Sequence, residues 1–445
     1  MKALTTEEAM LTCVRCGACR EVCPTLDITG READGPRGRV LMARSLLLGE
    51  IPVNNEIKDQ LDRCLLCSAC VDACPIDVPV PDIVMLAKER IQEAREKVEV
   101  KVEDLHKESS IVKKVKSFFY EKILPNQSHL HKIGHLLWIY QKSGVQSLVR
   151  KLGIINLFPS QLSDMERIMP EILSPSKRKP LPVWTDNVNV TIENPKEVAM
   201  FRGCIMDVMF RETNEHSIQL LSKSGFKIHT PSEQTCCGAL HIHNGNRKKA
   251  IELAKQNIEV FEKSSAENIV SNAGGCGAAL REYEELFRDD PEWLPRAREF
   301  SRKVRDISEV ILEKGSLPKA VGRGERVTYQ PSCHLQYVMK VKDAPTKLLK
   351  SVSESEYVDL PGSKHCCGSA GIYNLLQPQL AGDILVRKME KVNQTNPAVL
   401  ITTNPGCYLQ MKSGIYKDKK EDTIRPLHIV DYLLESIECA EKTNN

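Results

Sequence analysis

Eight of the chain's cysteines fall into two copies of one compact pattern, and that pattern limits what the N-terminal region can become. Cys13-x-x-Cys16-x-x-Cys19-x-x-x-Cys23-Pro24 is followed by Cys64-x-x-Cys67-x-x-Cys70-x-x-x-Cys74-Pro75. Three cysteines at this spacing close on one inorganic cluster from a single loop, while the fourth points away and serves the other cluster of a two-cluster module. Cys13, Cys16, Cys19 and Cys74 are therefore expected to hold one [4Fe–4S] cluster, and Cys64, Cys67, Cys70 and Cys23 a second. Gly17, Ala18, Ser68 and Ala69 leave room for the cluster and for backbone N–H groups directed at its sulfurs. The proline after each fourth cysteine keeps the next helix from running back into the loop. Structural zinc is the competing use of cysteine, but it employs two separated pairs rather than four residues in one run.

Disulfides would need an oxidising compartment. The N-terminus, Met-Lys-Ala-Leu-Thr-Thr-Glu-Glu, has no apolar core of a signal peptide, so thiolates, metal and a cytoplasmic location are expected. No run of about 18 apolar residues predicts a membrane span. A net charge of +3 with both signs interspersed, and only 5% aromatic residues, argue against a nucleic-acid partner. With 445 residues the chain can form several domains. Composition divides it into 1–95, which carries the doubled motif, and 96–194, which lacks cysteine. The latter begins Lys/Glu-rich and ends around Pro175, Pro180 and Pro182; two similar halves follow, 195–318 and 325–440.

The halves repeat a second pattern. Cys204, Cys236-Cys237-Gly238 and Cys276 recur as Cys333, Cys366-Cys367-Gly368 and Cys407 at an offset of about 130 residues, too long for a solenoid and therefore a duplicated domain. Asn272-Ala273-Gly274-Gly275-Cys276 parallels Thr403-Asn404-Pro405-Gly406-Cys407. The apolar runs Val198–Phe201, Ile269-Val270, Val327-Thr328-Tyr329 and Val399–Ile401 each end shortly before a cysteine, with helical patterns at 246–263 and 378–393. The expected fold is thus multi-domain: an α-helical two-[4Fe–4S] ferredoxin module followed by a duplicated α/β domain with cysteines at strand ends. Cys204, Cys236, Cys237 and Cys276 would form one four-thiolate metal site, and Cys333, Cys366, Cys367 and Cys407 another. Glycines at 238, 275, 277, 368 and 406 let backbone approach a cluster, and a helix N-terminus would stabilise a thiolate there. Buried thiols or a vicinal disulfide are the alternative.

These features resemble the paired cysteine-rich CCG domains of heterodisulfide-reductase-like proteins. The whole order, with Asp34-Gly35-Pro36-Arg37-Gly38-Arg39, Leu61-Asp62-Arg63-Cys64 and Thr403-Asn404-Pro405-Gly406-Cys407, resembles the glycolate oxidase iron–sulfur subunit family. The resemblance implies an electron-transfer subunit of a flavin-dependent 2-hydroxy-acid dehydrogenase complex. Glycolate would be oxidised to glyoxylate on flavoprotein partner subunits, and electrons delivered to a quinone or a soluble acceptor. Lactate or glycerol-3-phosphate oxidation, and a heterodisulfide or thiol reductase at the CCG sites, are the alternatives. Catalytic subunits of that reductase end each CCG motif in C-x-x-C, whereas Ala279 and Gln410 stand here in the last position. Relay through one or two further clusters is favoured over disulfide chemistry.

Neither a G-x-G-x-x-G fingerprint nor a Walker loop is present, and no nucleophile–base pair stands out, so no catalytic residue and no flavin are expected on this chain. Arg37 and Arg39 are either cluster-facing cations or a solvated turn. His334 and His365, beside Cys333 and Cys366, are expected mostly to cap or pack, and His241-x-His243 is a weak zinc motif. Between 130 and 158, Ile133, Leu136, Leu137, Tyr140, Leu148 and Leu152 would share a face that covers the domain junction, or that meets a partner subunit or the inner face of a membrane. Cys439 lies outside both patterns.

Overall fold

The computed structural model describes residues 6–96, 122–157, 160–188 and 195–443. The Lys/Glu-rich start of the second region therefore lies outside the described residues.

The N-terminal module is helical. Helices Pro36–Leu47, Asn55–Asp62 and Val80–Glu96 enclose Val40, Leu46, Leu61, Ile83, Val84 and Ile91. Each such side chain, fully buried, contributes roughly 2 kcal/mol of apolar transfer, enough to fix the two cysteine loops that this core carries at its edge. Local chemistry sets the helix starts. Asn54 accepts from the Ile57 N–H at 2.9 Å, and Pro24 and Pro36 open their helices where the missing N–H costs nothing. The two motif prolines differ. Pro24 begins helix Pro24–Thr29 directly after Cys23, but Pro75 leads into a turn with Asp77 at φ 51°, and the next helix starts only at Val80.

Helices Gln127–Lys142, Val145–Lys151 and Ser160–Ile168 follow. Their burial departs from the expected apolar face. Leu130 and Gly134 are buried, whereas Leu136, Leu148 and Leu152 are 64%, 55% and 63% exposed. The reason is close approach. A Cβ on Gly134 would lie 2.6 Å from Arg178 Nη1 and 2.7 Å from Val208 Cγ1, so the helix meets the neighbouring domain through its glycine and leaves the leucines outside.

The remainder forms two sheets. The first contains β1 (Trp184–Thr185), β2 (Lys196–Phe201), β3 (Phe226–His229), β4 (Asn268–Ser271) and β5 (Val304–Asp306) in the order β1-β3-β2-β4-β5. The second contains β6 (Arg326–Gln330), β7 (Glu356–Val358), β8 (Val399–Thr402) and β9 (Arg425–His428) in the order β7-β6-β8-β9. Every pairing is parallel except β1 with β3, where the proline-rich linker adds an edge strand. Without β1 the two orders are the same, which is the duplication seen in three dimensions. Val198, Met200 and Val270 share one apolar core with Val327, Tyr329 and Ile401, so the copies fold against each other.

Candidate metal centres

Sheet order explains where the cysteines stand. In each copy the chain leaves the first strand toward a neighbour on one side and returns to the other side, creating a switch point at the strands' carboxyl ends. Cys204 follows β2 and Cys276 follows β4; Cys333 follows β6 and Cys407 follows β8. The adjacent pairs, Cys236-Cys237 and Cys366-Cys367, come from the loops after β3 and β7. Gly238 and Gly368 sit at φ 82° and 90°, and this left-handed turn aims their N–H groups at the Cys236 and Cys366 sulfurs, 3.5 and 3.4 Å away. Cys276 and Cys407 lie in the first turns of helices Gly274–Arg281 and Pro405–Lys417, where the helix dipole favours a thiolate.

The sequence quartets come together. Cys204 Sγ is 3.5 Å from Cys236 Sγ, and contacts continue through Cys237 to Cys276. In the second copy Cys333, Cys366, Cys367 and Cys407 form the same chain of neighbours. Contact with Cys236, then burial, pushes the Cys204 thiol well above its ordinary value; Cys366 and burial do the same to Cys333. Crowded, buried thiols ionise only beside positive charge, and a metal cluster supplies it. The donor set fits.

The N-terminal cysteines also pair crosswise. Cys13, Cys16, Cys19 and Cys74 line one recess together with Cys70, and Cys74 is among the neighbours raising the Cys19 thiol after burial itself. Cys23, Cys64, Cys67 and Cys70 line another. Both loops use left-handed residues at matching places, Arg15 and Gly17 in the first, Leu66 and Ser68 in the second. Such turns direct successive N–H groups inward, an anion-binding arrangement, and a leucine at φ 52° is a strain characteristic of functional loops. Among the described residues no three His, Cys, Asp or Glu side chains gather closely enough for a single ion; the cysteines instead line recesses.

The two arginines separate. Arg39 is buried, with Nη2 2.9 Å from Thr25 Oγ1 and Nη1 3.8 Å from Cys23 Sγ, while its Nε has no protein partner. That unpaired donor suits a cluster sulfur. Arg37 instead bridges Glu32, at 2.7 Å, and the Arg15 carbonyl. His334 Nδ1 lies 3.5 Å from Cys333 Sγ and its ring stacks on His243 at 5.5 Å. His365 lies near Lys388 and Asp27. His241 is fully buried, and His243 lines a cavity that His241 does not reach.

The C-x-x-C positions are occupied by other work. Ala279 is buried in the core, and Gln410 donates to the Ala381 carbonyl at 3.3 Å and accepts from Asn374 at 3.1 Å. Around the adjacent cysteines the two copies diverge. Asn257 bridges the Cys236 carbonyl and the Tyr283 hydroxyl, both at 3.0 Å. The second copy has Lys388, buried and donating to the Gly362 carbonyl at 2.8 Å, its pKa lowered to about 8 by burial against the opposing pull of the nearby cysteines. Motif spacing gave no sign of Lys388; it sits mid-helix in Pro378–Thr395 among ordinary polar residues.

The four sets are contiguous. After burial, Cys333 is the foremost neighbour raising Cys67, and both lie against an apolar group that includes Leu65, Cys366 and Tyr373. Tyr373 donates to the Arg63 carbonyl at 3.0 Å, Lys342 reaches Asp72 at 3.0 Å, and Arg387 pairs with Asp27. Between the copies, Asn404 accepts from the Gly275 N–H at 3.0 Å while its amide faces Cys407 Sγ at 3.8 Å.

Two crosswise cysteine quartets on a helical module, joined to two quartets at the switch points of duplicated parallel sheets, define an iron–sulfur protein. Family models agree: residues 9–78 match a 4Fe-4S dicluster domain, 198–281 and 327–412 a cysteine-rich domain, and 111–169 the linker region of the glycolate oxidase iron-sulfur subunit. The chain is 38% identical over 435 residues to the probable glycolate oxidase iron-sulfur subunit of Bacillus subtilis, covering 97% of this chain and 94% of that protein. It is 26% identical to the glycolate oxidase iron-sulfur subunit of Escherichia coli, over 93% of this chain and 92% of that one. Lactate utilization protein A of Oceanobacillus iheyensis is 31% identical, matching 53% of this chain and 96% of its own. The chain belongs to the glycolate oxidase iron–sulfur subunit family.

Proposed function

We propose that this chain is the electron-transfer subunit of a 2-hydroxy-acid dehydrogenase complex, with glycolate oxidised to glyoxylate on a flavoprotein partner; lactate is the second substrate that the relatives support. The packing of Cys67 and Cys333 against one apolar group carries the reading, because it joins the helical module to the CCG pair. Clusters bound at the four quartets would supply one-electron storage, two of them of the [4Fe–4S] type on the N-terminal eight cysteines. The chain's own part is to hold sixteen thiolates, to set Arg39 and Lys388 beside two of the sets, and to exclude water with Leu65 and Tyr373 between them. Among the described residues no helix is long and apolar enough to cross a membrane. The exposed leucines 136, 148 and 152 support contact with a partner subunit or the inner membrane face. Anaerobically purified chain should contain iron and acid-labile sulfide, and should oxidise no glycolate until a flavoprotein partner is added. Glycolate oxidation by the chain alone would overturn the reading.

A further inference from the structure

A cavity of about 280 Å³ opens where the helical module and both CCG copies meet. No cysteine lines it, yet three cysteine sets flank it. Leu66 and Ser68 stand on either side of Cys67, Gly275 precedes Cys276, and His334 follows Cys333. The walls are mixed in a way that suits an organic ring. Leu66, Met85, Ile242 and Val338 supply apolar surface, while Asp82, Glu282, His243 and His334 supply a few polar groups. Apolar walls with sparse, fixed polar groups are the ordinary make-up of a small-molecule site, and this volume is close to the lower end of such sites.

The two acids deserve separate treatment. Both keep solvent-accessible surface and both line the cavity. Surrounding protein still removes enough water to push Asp82 up to about 6, with Glu285 adding to the shift and Arg288 opposing it. Glu282, exposed at the rim like Asp82, is likewise drawn upward from its ordinary value by the protein around it, with Asp82 and Glu285 adding to the shift. A carboxyl group that is protonated near neutral pH donates a hydrogen bond and can give up a proton. Two cations also line the walls: Arg281 donates to the Met339 carbonyl at 2.7 Å and Lys340 reaches Asp72 at 3.4 Å.

We propose that this cavity binds the headgroup of a quinone, the electron acceptor of the chain, a proposal that rests on the electron-transfer reading above. Oxidation of one hydroxy acid releases two electrons and two protons. The quinone would take two electrons, one at a time, from clusters held by the flanking cysteine sets, and a proton on each carbonyl oxygen, forming two O–H bonds and leaving as quinol. Asp82 and Glu282 deliver the protons and recover them from water at the open mouth.

The test uses anaerobically purified full chain with its iron, and duroquinone as the probe. Binding is measured by calorimetry on the oxidised chain, and quinol formation by stopped flow on the dithionite-reduced chain. Ile242→Trp fills the cavity, with Val338→Phe on another wall as the second filling variant; unchanged iron and sulfide content shows that each has folded. Both should bind duroquinone at least about tenfold more weakly, while ferricyanide, which needs no pocket, oxidises them at the wild-type rate. Glu282→Gln should slow quinol formation while leaving oxidation by ferricyanide unchanged. Equal affinity in wild type and the filled variants, or no binding to wild type, overturns the proposal. A chain that binds duroquinone in the cavity but cannot be reduced would instead overturn the electron-transfer reading, so the two failures are distinguishable.

Discussion

Cys67, in the second loop of the helical module, has Cys333 of the second CCG copy as its foremost thiol neighbour. Cys204 of the first copy has Cys236 of its own set in that place. The copies are therefore not equivalent in position. The second sets Cys333 beside Cys67, whereas the first meets the module through the side of Leu66 and Ser68 that faces Gly275, and is joined to the second through Asn404.

This asymmetry is measurable by electron paramagnetic resonance on the reduced full chain. If Cys23, Cys64, Cys67 and Cys70 hold a cluster as proposed, its signal should be broadened by a paramagnet at the Cys333 set. Cys333→Ser should sharpen it, and Cys204→Ser should leave it broad. The reverse pattern would show that the wrong copy has been placed beside Cys67.

Arg39 offers a second prediction. Its guanidinium lies 3.8 Å from Cys23 Sγ with an Nε that no protein atom accepts from, so it would stabilise the reduced, more negative state of a cluster held there. Arg39→Gln should lower the midpoint potential of one N-terminal cluster by tens of millivolts and leave the other unchanged in a redox titration. Arg37→Gln should move neither by a comparable amount, since Arg37 spends its donors on Glu32 and the Arg15 carbonyl. Equal shifts in the two variants would contradict the separate roles.

Gly38 carries a third. A Cβ there would sit 2.2 Å from the Glu32 carbonyl oxygen, which is backbone and cannot swing aside. Gly38→Ala should displace the short turn Glu32–Asp34 from helix Pro36–Leu47, costing about 1–3 kcal/mol. Because Thr25 bonds the Asp34 carbonyl and Arg39 bonds Thr25, iron content should fall along with thermal stability. Gly49→Ala is the control, since nothing lies within 4 Å of its Cβ, although its φ of 73° imposes a local cost.

Much of this was legible before any coordinates. Cysteine spacing grouped the residues that the fold brings together at each CCG switch point, and apolar runs located β2, β4, β6 and β8 to within two residues, because buried parallel strands are continuous apolar segments. The rest depended on contacts distant in sequence. Lys388 reads as a solvent-facing helix residue until the fold turns it toward the cysteines. The leucines at 136, 148 and 152 read as a packing face because periodicity cannot tell which stripe of a helix docks; Gly134 decided it, through close approach. The Asp82–Glu282 cavity needs three domains to exist at all, and no local pattern encodes it.

The joint between the copies supplies the last prediction. His216 Nδ1 lies 2.8 Å from Asp431 Oδ1, linking helix Arg211–Lys223 of the first copy to helix Ile429–Thr443 of the second. Burial works against the charged ring, but the hydrogen bond and charge of Asp431 outweigh it, and the pKa of His216 is raised. A histidine whose pKa is higher folded than unfolded binds more protons in the folded state. Its stabilisation is complete below the unfolded value of about 6.5 and fades as pH rises through the folded value. Thermal unfolding of the full chain should therefore show about 1 kcal/mol less stability at high pH from this pair alone. His216→Asn should flatten that component of the profile, and Asp431→Asn should do the same. If both variants keep the wild-type pH slope, the pair is not a charged link between the copies.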